Sequence, residues 1–537
     1  MERARVTKKA RSGPETHPAK GSGAQAVSRR RISRRELLVD GGKGAVGLAA
    51  LAAAGAGGFE IAQGHVAPSA AAGAAGALDA PVRFVTAPGL DPPRLQMTDL
   101  GVEQDHGYLL LTPSLVPGAR GVDEAKAIAE GKGQEGLLLL DARNEVVWFQ
   151  PTRHFATNLE VQQYMGKPVL TYWVGEIRDG IGYGEGHVLD GTYAEIARLR
   201  APRGLDVDLH ELTLTSRGTA LVTSYRLRDA DLRPVGGPKR GAAWDGMVLE
   251  IDVATGRTVF EWSSLDHVPV EDSYARPTGG PFDYFHINSI APWDDTSLLV
   301  SGRNTWALYR VDRRSGEVIW RMHGKRTDFA MGPGTQYYWQ HHARHLASGP
   351  LTVFDDGATP PEQEQSRALF LSVDEARRKV SLVKAYTHPV PLLASYEGSV
   401  QELPDGHVFV GWGTEPYASE FDQAGDLLLD ARLPTNVQSY RALRSPWTGR
   451  PRTRPALVVV RDDVGGHAAH VSWNGATEVR EWEILTGPTS ASLAAEARIP
   501  KAGFETAVTI RTSERFLAVA ALDEDGNRIG ISAAHAL

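Results

Sequence analysis

Apolar and polar positions alternate along this chain in short runs of period two. Gly, Asp, Asn or Ser bounds each run, a pattern of β-hairpins rather than helices. One hairpin type recurs: an apolar strand ending in Asp, a short polar turn, then a strand that often carries Trp. Copies lie at 136–149 (GLLLLDARNEVVWF), 187–199, 246–262 (GMVLEIDVATGRTVFEW), 307–320, 368–383 and 410–433. A second strand pair separates successive copies, so each unit holds four strands and repeats at about 40 to 75 residues. The pattern predicts an all-β fold, a six-bladed β-propeller over 78–450 whose first strands line the central axis. Two stacked sandwiches would not produce so regular an alternation. After Trp447-Thr448-Gly449 comes a Pro/Arg-rich break, PRTRP, and then short alternating strands with a Trp in VSW. These predict a small β-sandwich of immunoglobulin or fibronectin type over 451–537.

Three of the axial strands open on histidine: His210 in HELTLTSRGTALVTSYR, His286 in HINSIAPWDDTSLLVSGRN and His341 in HHARHLASGPLTVFDDG. Aligned on the repeat, the equivalent positions are Asn158, His210, His286, His341, Ser399 and Ser439. Equivalent positions of a cyclic repeat converge on the axis. Arg303 ends the strand after His286 and is expected in the same channel. Neutral imidazole is a nucleophile and proton carrier near pH 7, whereas guanidinium is a permanent planar cation that grips oxyanions. Together they define a site for a tetrahedral oxyanion, sulfuryl or phosphoryl. One histidine would attack while the others and Arg303 neutralise the equatorial oxygens. A lone inner-strand histidine is more often a hydrogen-bonded core residue; three at equivalent positions are not so explained. Strict alternation puts His341 and His345 on one face and His342 on the other, an arrangement a bulge would undo, so His342 stays a rival nucleophile. Asp208 and Asp283 fit equally as imidazole orienters and as turn residues.

Composition narrows the chemistry. The 537-residue chain has no cysteine, which excludes disulfides, thiolate catalysis and Cys-ligated metals. Three histidines could hold zinc or copper in a metal-dependent oxidoreductase or hydrolase, but a fourth group that is a cation argues against it. No G-x-x-x-x-G-K-[ST] loop is present to cradle a nucleotide. Neither cofactor nor metal is therefore expected. Residues 1–43 carry twelve Lys or Arg against four acids, and Ser33-Arg34-Arg35-Glu36-Leu37-Leu38 resembles a twin-arginine export signal. The Ala/Gly-rich run at 45–56 is short for a bilayer span. Residues 1–77 are thus read as a signal region cut between Ala67 and Ala77, handing the protein to the export machinery, with membrane anchoring as the alternative. The chain's net charge is −7. Without its basic leader it falls to about −15, a poor match for nucleic acid. Oligomeric state is not legible.

The motifs Asp208-Leu209-His210-Glu211, Asp283-Tyr284-Phe285-His286-Ile287-Asn288-Ser289, Ser301-Gly302-Arg303, Trp339-Gln340-His341 and Gly398-Ser399-Val400-Gln401 carry a resemblance over roughly 81–450. In that order they resemble the bacterial arylsulfotransferases that use no nucleotide donor. The resemblance implies a funnel site in which a histidine takes the sulfuryl group from one phenolic sulfate and passes it to another phenol. His341 matches the transient sulfohistidine. His286, Arg303 and His210 match sulfuryl-binding and proton-transfer residues, and Asn288 falls with Arg303 among the substrate-binding positions. Gram-negative members have an N-terminal β-domain and a disulfide. This chain has neither and looks like the actinobacterial and fungal branch. The alternative class is a non-catalytic exported propeller that binds an aromatic or anionic ligand or a cell-envelope partner.

Overall fold

Six antiparallel meanders of four strands follow one another in a computed structural model that describes residues 60–61, 82–101, 106–116, 132–461 and 466–537. The twin-arginine motif, the apolar run and the expected cleavage region lie outside the described residues. The first five sheets span 155–199, 212–263, 287–323, 341–386 and 399–432. The fourth gains a parallel outer strand, Ala330–Met331, and the fifth an antiparallel one, Gln96–Asp99. The sixth is composite: Val437–Ser445 pairs with Tyr108–Leu115, followed by Gly136–Leu140 and Val146–Pro151. Neighbouring sheets touch near their inner strands, and the sixth meets the first through Val437–Ser445 and Phe155–Tyr164. The fold is all-β and propeller-like.

Face-to-face packing explains why the middle strands read as nearly continuous apolar runs. In Ser297–Gly302, Leu298 and Val300 point into the core shared with Leu221, Val248 and Trp262 of the second sheet. Leu299 points the other way, toward Leu351, Val353 and Leu369 of the fourth. Both faces are dry, so both carry hydrophobic side chains. The recurring hairpin tryptophans wedge between sheets at their outer strands: Trp262 and Trp320 are buried.

The inner strands share a second device. Register shifts interrupt four of them, at Thr157/Glu160, Ile287/Ser289, His341/Arg344 and Ser439/Ala442. Beside three of these shifts stand non-glycine residues at positive φ: Asn158 (55°), His286 (51°) and His342 (48°). A bulge inserts an unpaired residue and re-aims its side chain. Here it breaks the alternation at the axis.

Residues 456–537 form two more antiparallel sheets packed face to face around Val471, Trp482, Ile484, Ile510 and Val519. The pair Glu60–Ile61 adds to one of them beside Glu505–Arg511. This sandwich covers an open edge of the ring. Asn474 donates from Nδ2 to the Phe149 carbonyl (2.9 Å) and accepts from the Phe149 N–H (3.0 Å), and the Gly475 N–H donates to Val147 O. The outermost strand of the sixth sheet is thereby protected from edge pairing. Among the described residues no helix is long and apolar enough to cross a membrane.

Candidate active site

Each of the three histidines is held by a carboxylate on Nδ1. His210 Nδ1 lies 2.6 Å from Asp208 Oδ2, His286 Nδ1 lies 2.5 Å from Asp283 Oδ2, and His341 Nδ1 lies 2.8 Å from Asp356 Oδ2. Asp208 and Asp283 thus orient imidazoles, one of the two roles open to them in the sequence. Asp208 also accepts from the Gly182 N–H and the Thr223 hydroxyl. Burial would raise its carboxyl, but His210 and these donors outweigh burial and lower it. The His210 and His286 rings meet edge to face at 4.8 Å between centroids.

His341 is the most constrained of the three. Its Nε2 accepts the Glu397 backbone N–H at 3.3 Å. A nitrogen that accepts carries the lone pair, so the ring proton sits on Nδ1 and is donated to Asp356. Burial pushes His341 well below its ordinary pKa, and the charges of Arg303, His210 and His286 push it the same way. The result is a neutral imidazole whose Nε2 lone pair takes the Glu397 N–H, with the charges of the cluster acting on the ring. His342 takes another course: its Nδ1 accepts the Val400 N–H at 3.2 Å. His345 stacks on Trp293 at 3.9 Å and bonds the Trp293 carbonyl. The expected shared face for His341 and His345 therefore does not exist, because the bulge after His341 turns the strand.

Arg303 opens a single 3₁₀ turn, Arg303–Thr305, tied to the His286 loop by Arg303 N–H to His286 O and Asn304 N–H to Phe285 O, each at 3.0 Å. Gly302 is required there, since a Cβ would stand 2.7 Å from the Phe285 ring. The guanidinium donates to the Ser395 carbonyl (3.0 Å) and to Asn304 Oδ1 (3.3 Å), while its Nε has no partner. Among the described residues no carboxylate lies within ion-pair distance of Arg303. Burial lowers its pKa while Asp356 and Asp283 pull the other way. Arg303 lies 5.0 Å from the Trp339 ring, which meets Trp306 edge-on at 5.2 Å; Trp306 in turn stacks on Tyr274 at 3.6 Å. Among the described residues this cation forms no ion pair, and it stands beside an aromatic wall.

Asn288 is spent differently. Its amide donates to the Gln340 carbonyl at 2.6 Å, while its buried Oδ1 has no partner. Asn158 does the same to the Leu209 carbonyl at 2.8 Å. In both cases an asparagine of one sheet fixes the residue just before a histidine of the next. Sequence reasoning did not assign Asp356, Glu397, Trp339 or the ion cluster at Glu211. Asp356 was visible only as part of a turn, FDDG, fifteen positions after the histidine it holds.

The propeller-like ring thus brings Arg303 and the carboxylate-held His210, His286 and His341 into one cluster. A sequence model described as arylsulfotransferase (ASST) matches residues 160–433, just over half of the chain. The chain belongs to the arylsulfotransferase family. No curated protein matches it. Solved structures similar to it include a Bacteroides caccae protein of unknown function (12% identity, 63% of this chain and 99% of that one, TM-score 0.38). A streptogramin B lyase (11%, 78% and 98%, 0.34) and a Staphylococcus aureus virginiamycin B lyase (10%, 61% and 83%, 0.23) are also similar. At those scores none carries an argument.

Proposed function

We propose that this protein transfers a sulfuryl group from an aryl sulfate to a phenol in two steps through His341. The observation that carries the reading is the setting of His341: Asp356 holds its Nδ1, its Nε2 takes only a 3.3 Å bond from the Glu397 N–H, and the charge of Arg303, which has no ion-pair partner among the described residues, reaches the ring. In the first step Nε2 attacks sulfur, the S–N bond forms, and the S–O bond to the aryl group breaks. His210 or His286 gives a proton to the departing phenolate. In the second step an acceptor phenol loses its proton to the same histidine and attacks sulfur, breaking the S–N bond. Arg303 faces the sulfuryl oxygens throughout, and the Trp339–Trp306 wall suits an aromatic ring. The six sheets act as blades whose inner strands deliver these groups, and the leader exports the folded, cysteine-free protein.

The direct test is incubation with 4-nitrophenyl sulfate and a phenol acceptor, without nucleotide. Nitrophenolate should appear in proportion to sulfated acceptor. A folded protein that turns over no donor in a broad aryl sulfate panel would sink the reading and favour a ligand-binding propeller. Arg303→Ala should slow the formation of sulfated enzyme by about 10²–10³-fold without preventing it, as when one oxyanion donor is lost. An unchanged rate would remove Arg303 from the site.

The pH dependence follows from burial. Free histidine loses nucleophilicity as it protonates near pH 6.5. His341 is held well below that value, so its neutral form persists at lower pH. Single-turnover release of nitrophenolate should not fall as pH falls through about 6.5. A tenfold fall per unit below about 6.5 would show an ordinary imidazole doing the attack.

A further inference from the structure

At the far end of the fifth and sixth sheets, two histidines and two carboxylates meet. Asp405 and His407 belong to the turn between Ser399–Glu402 and Val408–Gly411, and His106 leads into Tyr108–Leu115. The other end of Ser399–Glu402 lies next to Glu397, which contacts His341, so roughly 15 Å of strand separates the two places. His106 Nε2 is 3.0 Å from Asp405 Oδ2, and His407 Nδ1 is 3.3 Å from the same oxygen. His106 Nδ1 and His407 Nδ1 each lie 3.1 Å from Glu420 Oε1. Glu420 is fully buried and bound by Arg444 at 2.6 Å.

We propose that His106, His407 and Asp405 bind a divalent transition-metal ion of the zinc type, a structural site separate from the sulfuryl centre. Three observations converge. The ligand atoms of these three residues lie within 4.8 Å of one another. Tetrahedral zinc with bonds of about 2.0–2.2 Å sets its ligand atoms about 3.3 Å apart, close to the spacings here. The His106 side chain is 5% exposed, and both of its ring nitrogens stand against carboxylate oxygens, Nε2 at Asp405 and Nδ1 at Glu420. The fixed charges agree: the carboxylates of Asp405 and Glu420 outnumber the Arg444 cation beside the cluster. Glu420 supplies the acceptor that fixes the other nitrogen of His106, the usual arrangement behind a metal-bound histidine. His106 comes from the N-terminal part of the ring and the other two from the fifth sheet, so the ion clamps the seam where the chain closes on itself.

The test uses the full chain stripped with a chelator and titrated with zinc sulfate by calorimetry. One equivalent should bind and raise Tm by several degrees. His106→Ala and His407→Ala should each weaken binding by at least about 10–100-fold, the loss already typical when a ligand's own hydrogen-bond partner is removed. Both should lose the zinc-dependent rise in Tm. His106→Gln keeps much of the side-chain volume in case the alanine variants fold poorly, with near-ultraviolet circular dichroism as the check on folding. The proposal is overturned if the stripped wild type takes up no zinc, or if the variants bind it as tightly. Variants less stable than wild type, in a protein that does not respond to zinc, would show an ion-pair cluster and overturn it equally.

Discussion

Substituting His341 with asparagine should leave no sulfated protein detectable by mass spectrometry after incubation with an aryl sulfate, and turnover should fall roughly 10⁶-fold, as for other covalent nucleophiles. His342→Asn should retain the adduct. The distinction rests on the surroundings of each ring. His341 Nε2 accepts only a long bond from the Glu397 N–H, and the charges of Arg303, His210 and His286 reach the ring. The Nδ1 of His342 accepts from Val400 of the fifth sheet, and the charges that act on its ring are mainly those of Arg344 and Arg441. Asparagine can still donate toward Asp356, so the variant removes the nucleophile with little change in shape. An adduct that persists in His341→Asn and disappears in His342→Asn would reverse the assignment and place the reaction on the other side of the bulge. Loss of the adduct from both variants would mean that the bulge itself, rather than one ring, sets the geometry.

The strand pattern was legible because hydrophobic period and turn chemistry are local. The Asp-ending hairpins at 246–262 and 307–320 are antiparallel pairs, at Gly241–Asp252 with Thr258–Ser263 and at Ala307–Asp312 with Val318–His323. The histidines at repeat-equivalent positions could be found for the same reason. What could not be read depends on backbone conformation at single residues. Alternation paired His341 with His345, and only the register shift at His341/Arg344 separates them. Nothing local requires that shift, since His342 at positive φ is an unusual choice for a non-glycine residue. Long-range partners were equally hidden. Asp208 and Asp283 lie within three positions of their histidines, whereas Asp356 reaches His341 across a hairpin. Asn288 stood in a motif beside Arg303, yet its amide meets a backbone carbonyl 52 positions away in the next sheet.

Glu211, the residue after His210, should prove the most costly side chain at the axis to neutralise. Its carboxylate accepts from Arg441 at 2.9 and 3.0 Å, from Arg344 at 3.1 and 2.9 Å, and from the Ile290 N–H at 3.2 Å. Those donors come from the sixth, fourth and third sheets, so one carboxylate of the second ties four sheets together. Burial would raise Glu211, but the two guanidiniums override it and lower its pKa to about 2. Glu160 cannot take its place, since burial raises that carboxyl toward its neutral form. Glu211→Gln keeps the shape and removes the charge, leaving Arg441, whose side chain is 2% exposed, without an anion. Breaking a buried ion cluster from one side costs about 3–5 kcal/mol. The midpoint of urea unfolding should fall accordingly with an unchanged slope. A loss below about 1 kcal/mol would mean that water or relaxation already screens the cluster. The pH dependence gives the sign independently. A carboxyl whose folded pKa lies below its unfolded value stabilises fully above the unfolded value, and that stability disappears as pH falls through the folded one. In the wild type this amounts to about 3 kcal/mol, lost between roughly pH 4.5 and 2, and Glu211→Gln should flatten that part of the acid-unfolding curve. If the proposed reaction holds, activity should fall with stability, because Arg441 also donates to the His210 carbonyl at 3.0 Å and so ties the charge network to that histidine.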